Sequence, residues 1–168
     1  LIMLGDNASG KTTVLDAIHY VLTAGEDMEF NAAARVSGSK QQGRRIQSII
    51  TRYNVDTGHM RPSGGVAYAA LEIMSAGRRP TSVAIGMSVN SPEEQVTRWG
   101  IIRDCYLEEI PFLVKDADGE RPRDRQEMKK ALGDNGFYGQ PQAFCSQLAE
   151  RFLGGKSQFA DFCRFLKI

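Results

Sequence analysis

The stretch GDNASGKTTVLDAIHY (Gly5–Tyr20) decides which fold this chain is expected to adopt. Gly5 is followed by four residues and then by Gly10, Lys11 and Thr12, which satisfies the spacing G-x-x-x-x-G-K-[ST]. Glycines at both ends of the stretch let the backbone bend, so that successive N–H groups converge on an anion. The spacing therefore predicts a loop that holds the phosphates of a nucleotide.

The residues on either side fit the strand–loop–helix arrangement that such a loop requires. An apolar segment, LIML (Leu1–Leu4), precedes it, and Thr13–Thr23 is predicted to be a helix. The apolar face of this helix is expected to consist of Val14, Ala17, Ile18, Val21 and Leu22. In this arrangement Lys11 contacts the β- and γ-phosphates, while the hydroxyl of Thr12 completes the shell of a magnesium ion.

Composition and charge indicate an ordinary globular domain. Of the 168 residues, 42% are hydrophobic and 24% are charged, and the formal net charge is +1. Near-neutrality argues against a domain devoted to coating nucleic acid, although it leaves room for a local basic patch. The cysteines Cys105, Cys145 and Cys163 are scattered, so we expect a reduced, cytoplasmic protein without a disulfide framework or zinc site. No apolar run reaches transmembrane length, and no membrane partner is expected.

The remaining pattern predicts a hairpin-rich sheet followed by helices. Residues Ala24–Gly43 are expected to form a long loop, and Ile46–Tyr53 a strand. An antiparallel hairpin is predicted next, which argues against a doubly wound domain of alternating strands and helices. The predicted strands are Val66–Met74, Thr81–Val89, Trp99–Asp104 and Pro111–Asp116, and the later helices are Arg123–Leu132, Pro141–Leu153 and Ser157–Leu166. The short opening strand and the last helix, which lacks a stop signal, suggest that the native chain continues at both ends.

The opening stretch resembles the ABC-type ATPase heads of SMC, MukB, RecF and SbcC-like proteins. Their pattern runs G-x-N-G-x-G-K-[ST]-[ST], two aliphatic residues, an acidic residue, Ala and Ile or Leu. The acidic-Ala-Ile ending, here Asp16–Ile18, separates this group from transporter-type ABC proteins. Ala8 departs from the glycine of the family, and its methyl group would tighten the loop. The matching residues are Asn7, Ser9, Gly10, Lys11, Thr12, Thr13, Val14, Leu15, Asp16, Ala17 and Ile18.

A looser similarity extends beyond the first helix. FNAAARV (30–36), GRRIQSIITRY (43–53) and GGVAYAALEI (64–73) are similar to segments of MukB-like heads, especially the JetC subunit of Wadjet plasmid-defence systems. The resemblance implies an α/β fold, the P-loop NTPase of ABC/SMC-head type, with residues 1–168 forming a single, partial N-terminal lobe. That lobe would contain an antiparallel hairpin-rich sheet and C-terminal helices.

The resemblance also implies a set of site residues for ATP and Mg²⁺. An arginine near the nucleotide would be Arg44, chosen over Arg45 and Arg52. Such heads also place a glutamine where the sheet joins the helical part, and Gln158 is preferred over Gln140, Gln142 and Gln147. Thr12 and Gln158 would then hold the magnesium ion. The residues expected to bind the nucleotide are Gly5, Asp6, Asn7, Ala8, Ser9, Gly10, Lys11, Thr12, Thr13 and Arg44.

The parts that such a head uses for hydrolysis are not found in this sequence. They are a strand of four apolar residues ending in Asp-Glu and a signature loop that opens a helix. CYLEEI (Cys105–Ile110) and FLVKDADGE (Phe112–Glu120) are the nearest stretches, and neither fits the strand. Ser63-Gly64-Gly65 imitates a signature loop but precedes a predicted strand. No catalytic residue is therefore assigned, and hydrolysis by this chain alone is not expected.

The implied role is ATP-driven handling of DNA loops in chromosome organisation, repair or plasmid defence. The implied partners are a C-terminal head lobe, a second head that forms a homodimer around ATP, DNA, and other subunits of a condensin-like, nucleoid-associated complex. Two alternatives stay open: a self-contained P-loop kinase or GTPase, and a non-hydrolysing nucleotide-binding interaction module. A basic stretch at residues 121–130 is interpreted either as a solvated mixed face or as a contact for the DNA backbone.

Overall fold

The computed structural model describes residues 11–25, 46, 50, 65–74, 77–90, 95–117 and 119–153. Over these ranges lie three α-helices, a 3₁₀ helix and six strands, together with two further helical residues, Ile46 and Ile50. The helices are α1 (Lys11–Leu22), α2 (Arg125–Leu132) and α3 (Pro141–Leu153), with a 3₁₀ helix at Leu107–Glu109. The strands are β1 (Gly65–Ile73), β2 (Thr81–Val89), β3 (Thr97–Arg103), β4 (Leu113–Asp116), β5 (Gly119–Pro122) and β6 (Phe137–Gly139). The described part is thus α/β, as the sequence predicted.

The main sheet has four strands in the order β1-β2-β3-β6, and every neighbouring pair is antiparallel. β1 and β2 form the expected hairpin, whose first closing pair is Ile73 with Thr81. β3 returns along β2, and the short strand β6 pairs with β3 through Gly139 and Gly100. β4 and β5 form a separate two-stranded sheet. The antiparallel order agrees with the prediction against a doubly wound domain.

Side chains alternate between the two faces of the main sheet along its strands, and both faces are covered. Odd-numbered residues of β2 face a first core, which is covered by α1 and α3. Even-numbered residues face a second core, to which α2 contributes Met128 and Leu132. The first core includes Tyr20, Val21, Val83, Ile85, Met87, Val89, Phe144 and Leu148, and the second includes Ala84, Trp99 and Ile101. The sequence indicated the period of two but not that both faces are buried.

Two glycines let the covering layers approach the sheet closely. A Cβ atom built on Gly86 would overlap the indole of Trp99 on the second face. A Cβ atom built on Gly100 would overlap the Phe144 side chain on the first face. Trp99 and Phe144 are both fully buried, so their aromatic rings occupy the space that the two glycines leave.

Only the C-terminal half of α1 lies in the first core. Tyr20 and Val21 are buried, as is Ala24 just beyond the helix. Val14 is 48% exposed and Leu15 is 53% exposed, so the predicted apolar face, which included Val14, is wrong at its first position. α1 contacts β1 and β2, and the residues Thr13, Val14 and Leu15 near its start are exposed.

The strand predicted at Ile46–Tyr53 is wrong at the two positions that the structure describes. Ile46 and Ile50 are both helical. A spacing of four residues puts them on one side of a helix, and both pack against the first core. Their β-branched side chains favour a strand locally, but tertiary packing outweighs that preference.

Several shorter elements differ from the sequence prediction in extent. α2 begins at Arg125 instead of Arg123, because the Asp124 side chain accepts hydrogen bonds from the backbone N–H groups of Gln126 and Glu127. β5, β6 and the 3₁₀ helix were not predicted, since each is too short to show a hydrophobic period. α3 has the predicted bounds. The predicted helix Ser157–Leu166 and most of the predicted loop Ala24–Gly43 lie outside the described residues.

Candidate functional site

The first helix begins within the glycine–lysine–threonine part of the opening motif. α1 starts at Lys11, directly after Gly10, and its first turn contains no acidic residue. Thr13, Val14 and Leu15 are exposed. The N-terminal N–H groups of a helix lack partners within the helix and carry a partial positive charge, which a carboxylate often neutralises. Here no carboxylate of the same turn does so, and the helix start can accept an anion.

The opposite end of α1 is held firmly to the sheet. The Arg98 guanidinium donates a hydrogen bond from Nη1 to the backbone oxygen of Ala24, at 3.0 Å. The Thr23 hydroxyl donates to the His19 carbonyl at 2.9 Å, and the Gly25 N–H donates to the Tyr20 carbonyl at 2.9 Å. The bonds from Thr23 and Gly25 satisfy carbonyls of the last turn, which a helix leaves without internal partners, and the bond from Arg98 holds Ala24 just beyond the helix. Because the C-terminal end of α1 is anchored, the position of its N-terminal end relative to the sheet is also restrained.

Tyr20 contributes a buried phenol to this anchor. Its side chain belongs to the first core, and the residue is 3% exposed. Burial raises the pKa of the Tyr20 hydroxyl to about 12, and the neighbouring Arg98 guanidinium partly opposes the rise. Tyr20 is therefore neutral at ordinary pH, and the Arg98 side chain connects the phenol to the last turn of α1.

Most of the nucleotide contacts expected from the sequence lie outside the described residues. Those residues are Gly5, Asp6, Asn7, Ala8, Ser9 and Gly10, together with Arg44 and Gln158. Lys11 and Thr12 are described as the first two residues of α1, and Thr13 is exposed on its first turn. The structure therefore describes the start of α1, while the nucleotide contacts of the loop and of Arg44 and Gln158 remain predictions.

One glutamine occupies the junction between the main sheet and a helix. Gln140 is the single residue between β6 and α3, and it is exposed. Its backbone oxygen accepts a hydrogen bond from the Phe144 N–H at 2.9 Å, which makes it the residue before the first helical turn. Gln142 and Gln147 are exposed within α3 itself. Sequence reasoning considered Gln140 but preferred Gln158, beside the predicted terminal helix, and Gln158 lies outside the described residues.

The sequence did contain a signal for this junction. Gly139, Gln140 and Pro141 stand in succession, and proline favours the first position of a helix. The C-terminal part of the same helix is tied to the sheet, because the Arg151 guanidinium donates to the Asp104 carboxylate. Asp104 also accepts from the Thr81 hydroxyl at 2.8 Å. Although burial favours the neutral acid, these hydrogen bonds outweigh it and hold the pKa of Asp104 below its usual value.

The two stretches considered for a catalytic strand have other structures. Leu107–Glu109 is a 3₁₀ helix, and both carboxylate oxygens of Glu109 accept from the Arg79 guanidinium at 2.7 Å. Leu113–Asp116 is a mostly exposed strand of the small two-stranded sheet. Gly65 begins β1 and not a helix, which agrees with the sequence argument against a signature loop. Neither stretch is a buried strand ending in Asp-Glu.

Metal-binding side chains are not clustered in the part of the chain that the structure describes. No group of three or more His, Cys, Asp and Glu residues there could hold a metal ion. A phosphate-loop magnesium site makes a different demand, since one hydroxyl, the phosphate oxygens of the nucleotide and water molecules supply most of its ligands. Thr12, at the start of α1, is the residue that fits this donor set.

Comparison with known proteins supports the interpretation of the opening stretch. Residues 1–37 match the family model described as the P-loop containing region of AAA domain. This match indicates nucleotide binding and covers about a fifth of the 168 residues. No curated protein and no solved structure matches the chain.

None of the described helices combines the length and the apolar character that crossing a bilayer demands.

Proposed function

We propose that this chain is the ATP-binding lobe of an SMC/MukB-like ATPase. The observation that carries the proposal is that α1 begins at Lys11, within a segment that matches a P-loop region. A phosphate loop must open a helix at this position, because the helix N terminus and the lysine act on the same anion. Thr13, Val14 and Leu15 near the start of α1 are exposed, which supports access of a nucleotide from solvent.

In this proposal each residue of the opening motif contacts a different part of the nucleotide. The backbone N–H groups of Gly5, Asp6, Asn7, Ala8, Ser9 and Gly10 surround the phosphates. Lys11 neutralises the β- and γ-phosphates, the Thr12 hydroxyl joins the magnesium shell, and Thr13 lies beside the α-phosphate end of the loop. Arg44 would approach the nucleotide from the following segment. Thr12 would hold Mg²⁺, which would supply positive charge that offsets the charge of the phosphates.

For the glutamine of the magnesium site we propose Gln140 beside the sequence-based choice, Gln158, which lies outside the described residues. The place of Gln140 between β6 and α3 supports this choice, because the resemblance puts such a glutamine where the sheet joins the helical part. Its exposure leaves the side-chain amide available. The fixed ends of α3, at Phe144 and Arg151, would keep the residue in one position.

Hydrolysis would require a second lobe and a second head. The candidate stretches around Glu109 and Asp116 do not form a catalytic strand, and this supports a division of the ATPase between two lobes. The proposed partners are the C-terminal head lobe, a second copy of the head that closes on ATP, DNA, and further subunits of a condensin-like complex. The proposed outcome is ATP-driven movement of DNA loops at the nucleoid.

The proposal is tested by substituting Lys11 and measuring ATP affinity by titration calorimetry with Mg²⁺ present. Lys11→Ala should lower the affinity at least about a hundredfold, because a charge-assisted contact to phosphate is lost. Lys115→Ala, which removes an exposed lysine from β4, serves as the matched control and should leave affinity unchanged. Equal affinity of the Lys11 variant and the unmodified chain would refute the site.

Phosphate release distinguishes the proposed function from its alternatives. The chain alone should bind ATP without turnover, and addition of the C-terminal lobe should restore hydrolysis. Turnover or phosphotransfer by the chain alone would indicate the self-contained kinase or GTPase. Binding without turnover in the presence of every partner would indicate the interaction module.

A further inference from the structure

One end of the main sheet brings together side chains from three strands and from the segment that follows them. β1 ends there at Ile73, β2 begins there at Thr81, and β3 ends there at Arg103. The strand pairing places these three termini side by side, since β1 and β3 both run antiparallel to β2. We name this region, which consists of residues 72–74, 77–81 and 103–110, the hairpin end.

Hydrogen bonds hold the segments of the hairpin end in one arrangement. The Leu107 N–H donates to Oε2 of Glu72 at 2.7 Å, which connects the 3₁₀ helix to β1. Arg79 donates from Nη2 to both carboxylate oxygens of Glu109 at 2.7 Å, and the Tyr106 N–H donates to Oε1 of Glu109 at 2.8 Å. A surface whose parts are already fixed loses little conformational freedom when another molecule binds to it.

An exposed cation and an exposed anion of the hairpin end have no ion-pair partner within the described part of the chain. Arg78 directly precedes Arg79, and Glu108 directly precedes Glu109, so the Arg79–Glu109 ion pair keeps both residues at this end. Arg78 and Glu108 are exposed and form no ion pair with a described residue. The surface thus presents one positive and one negative side chain that the fold itself does not use.

The same end contains an open depression with exposed apolar side chains. The depression has a volume of about 510 Å³ and is lined by Glu72, Tyr106, Leu107 and Glu108. Tyr106 is 46% exposed, and Met74, two residues after Glu72, is 65% exposed. Tyrosine and methionine are enriched where protein surfaces associate. The hairpin end therefore presents apolar area in the same region as its two unpaired charges.

We propose that the hairpin end binds the hairpin end of a second copy of this chain. In a two-fold dimer the same surface of each copy faces the other, so that surface must be complementary to itself. Arg78 of each copy then faces Glu108 of the other, and the contact forms twice. The side chains of Met74 and Tyr106 leave solvent when the two copies meet.

Charge complementarity favours a second copy over other occupants of this surface. A polyanion or an acidic protein would pair with Arg78 but would be repelled by Glu72 and Glu108, and a basic partner would be repelled by Arg78. An anionic membrane surface would likewise be opposed by the two carboxylates. A second copy supplies both charges in equal number.

This contact goes beyond the proposed closure of two heads on ATP. That closure depends on the nucleotide held at Lys11, at the start of α1. No residue of the hairpin end belongs to the opening motif, so the contact requires no nucleotide. The two associations can therefore be measured separately.

The test is sedimentation velocity on the full chain, without nucleotide and with EDTA, at protein concentrations from about 1 to 100 μM. The unmodified chain should pass from monomer to dimer within this range. Glu108→Arg and Arg78→Glu should each raise the Kd of the dimer at least about tenfold, because each places like charges opposite one another. The combined variant Arg78→Glu/Glu108→Arg restores opposite charges and should return the Kd to that of the unmodified chain.

The apolar part of the contact is tested with Met74→Ser. This variant keeps both charges and should raise the Kd about tenfold, because each copy loses apolar area from the interface. The matched controls are Lys129→Glu on α2 and Glu120→Arg on β5, which reverse exposed charges outside the hairpin end and should leave the Kd unchanged. Lys11→Ala should lose ATP binding and keep the dimer.

A monomer at every concentration would overturn the inference, as would a combined variant that dimerises no better than the two single variants. An equal loss of the dimer in the control variants would place the contact on another surface and would also overturn it. A dimer that forms only when ATP is added would belong to the closure of the heads and would contradict a contact through the hairpin end.

Discussion

Gly100 of β3 lies directly against Phe144 of α3, and the space between them cannot hold a methyl group. Phe144 is fully buried one turn after the start of α3, so this contact fixes the distance between the helix and the main sheet. The same contact determines where Gln140 lies, because Gln140 directly precedes α3 and its carbonyl binds the Phe144 N–H.

Replacing Gly100 with alanine should destabilise the protein through this contact. The added Cβ would overlap Phe144 atoms that are fixed to the helix backbone, and overpacking of this kind costs about 3 kcal/mol. Gly77→Ala is the control, because a Cβ there meets nothing and only its positive φ of 70° opposes the change, at about 1 kcal/mol. Urea unfolding measures both, and equal losses would contradict the assigned packing.

The Arg121–Glu127 pair should make stability depend on acid pH. The Arg121 guanidinium and, after it, the Asp124 N–H lower the pKa of Glu127 to about 2 from an ordinary 4.5. A lowered folded-state pKa contributes stability above the ordinary value, and this contribution is lost as pH falls from about 4.5 to about 2. Glu127→Gln should therefore lower the urea midpoint at pH 7 by an amount that vanishes near pH 2.

The matched control for Glu127→Gln is Glu120→Gln, which removes an exposed carboxylate of β5 outside the pair. A midpoint difference that stays constant across the acid range in the Glu127 variant would show that its carboxylate does not interact with Arg121.

Tyr20 should make stability depend on alkaline pH. Its pKa is raised by burial from 10.0 to about 12 in the folded protein. A raised folded-state pKa contributes stability that is fully present below pH 10 and is lost as pH rises toward 12, because the unfolded chain ionises first. Tyr20→Phe should flatten this decline in the free energy of unfolding. Tyr106→Phe changes a phenol that is 46% exposed and should leave the decline as it is.

Gln140 provides a test of the magnesium site that is independent of Lys11. Gln140→Ala should weaken ATP binding about tenfold with Mg²⁺ present and much less with EDTA, because a lost metal ligand acts only through the metal. Gln147→Ala, in the helix α3 that follows Gln140, is the control and should change neither value. An equal effect of Gln140→Ala with and without Mg²⁺ would argue against a role at the metal.

Much of the fold followed from local patterns in the sequence. β2 and α3 have the predicted bounds, since each contains enough residues for its hydrophobic period to appear. β6 has three residues, and its existence depends on pairing with β3. Ile46 and Ile50 favour a strand by themselves and become helical because the first core accepts them four residues apart.

The candidate site also has some features that the sequence predicted and others that depend on the tertiary structure. The sequence by itself determined the phosphate-loop motif and a helix directly after it, because glycine, lysine and threonine at fixed spacing make a local structure. Only the tertiary structure decided that Gln140 stands at the sheet-to-helix junction and that Arg121 is neutralised while Arg125, Lys129 and Lys130 form no ion pair within the described residues. These properties depend on which distant segments come together, and no local spacing specifies that.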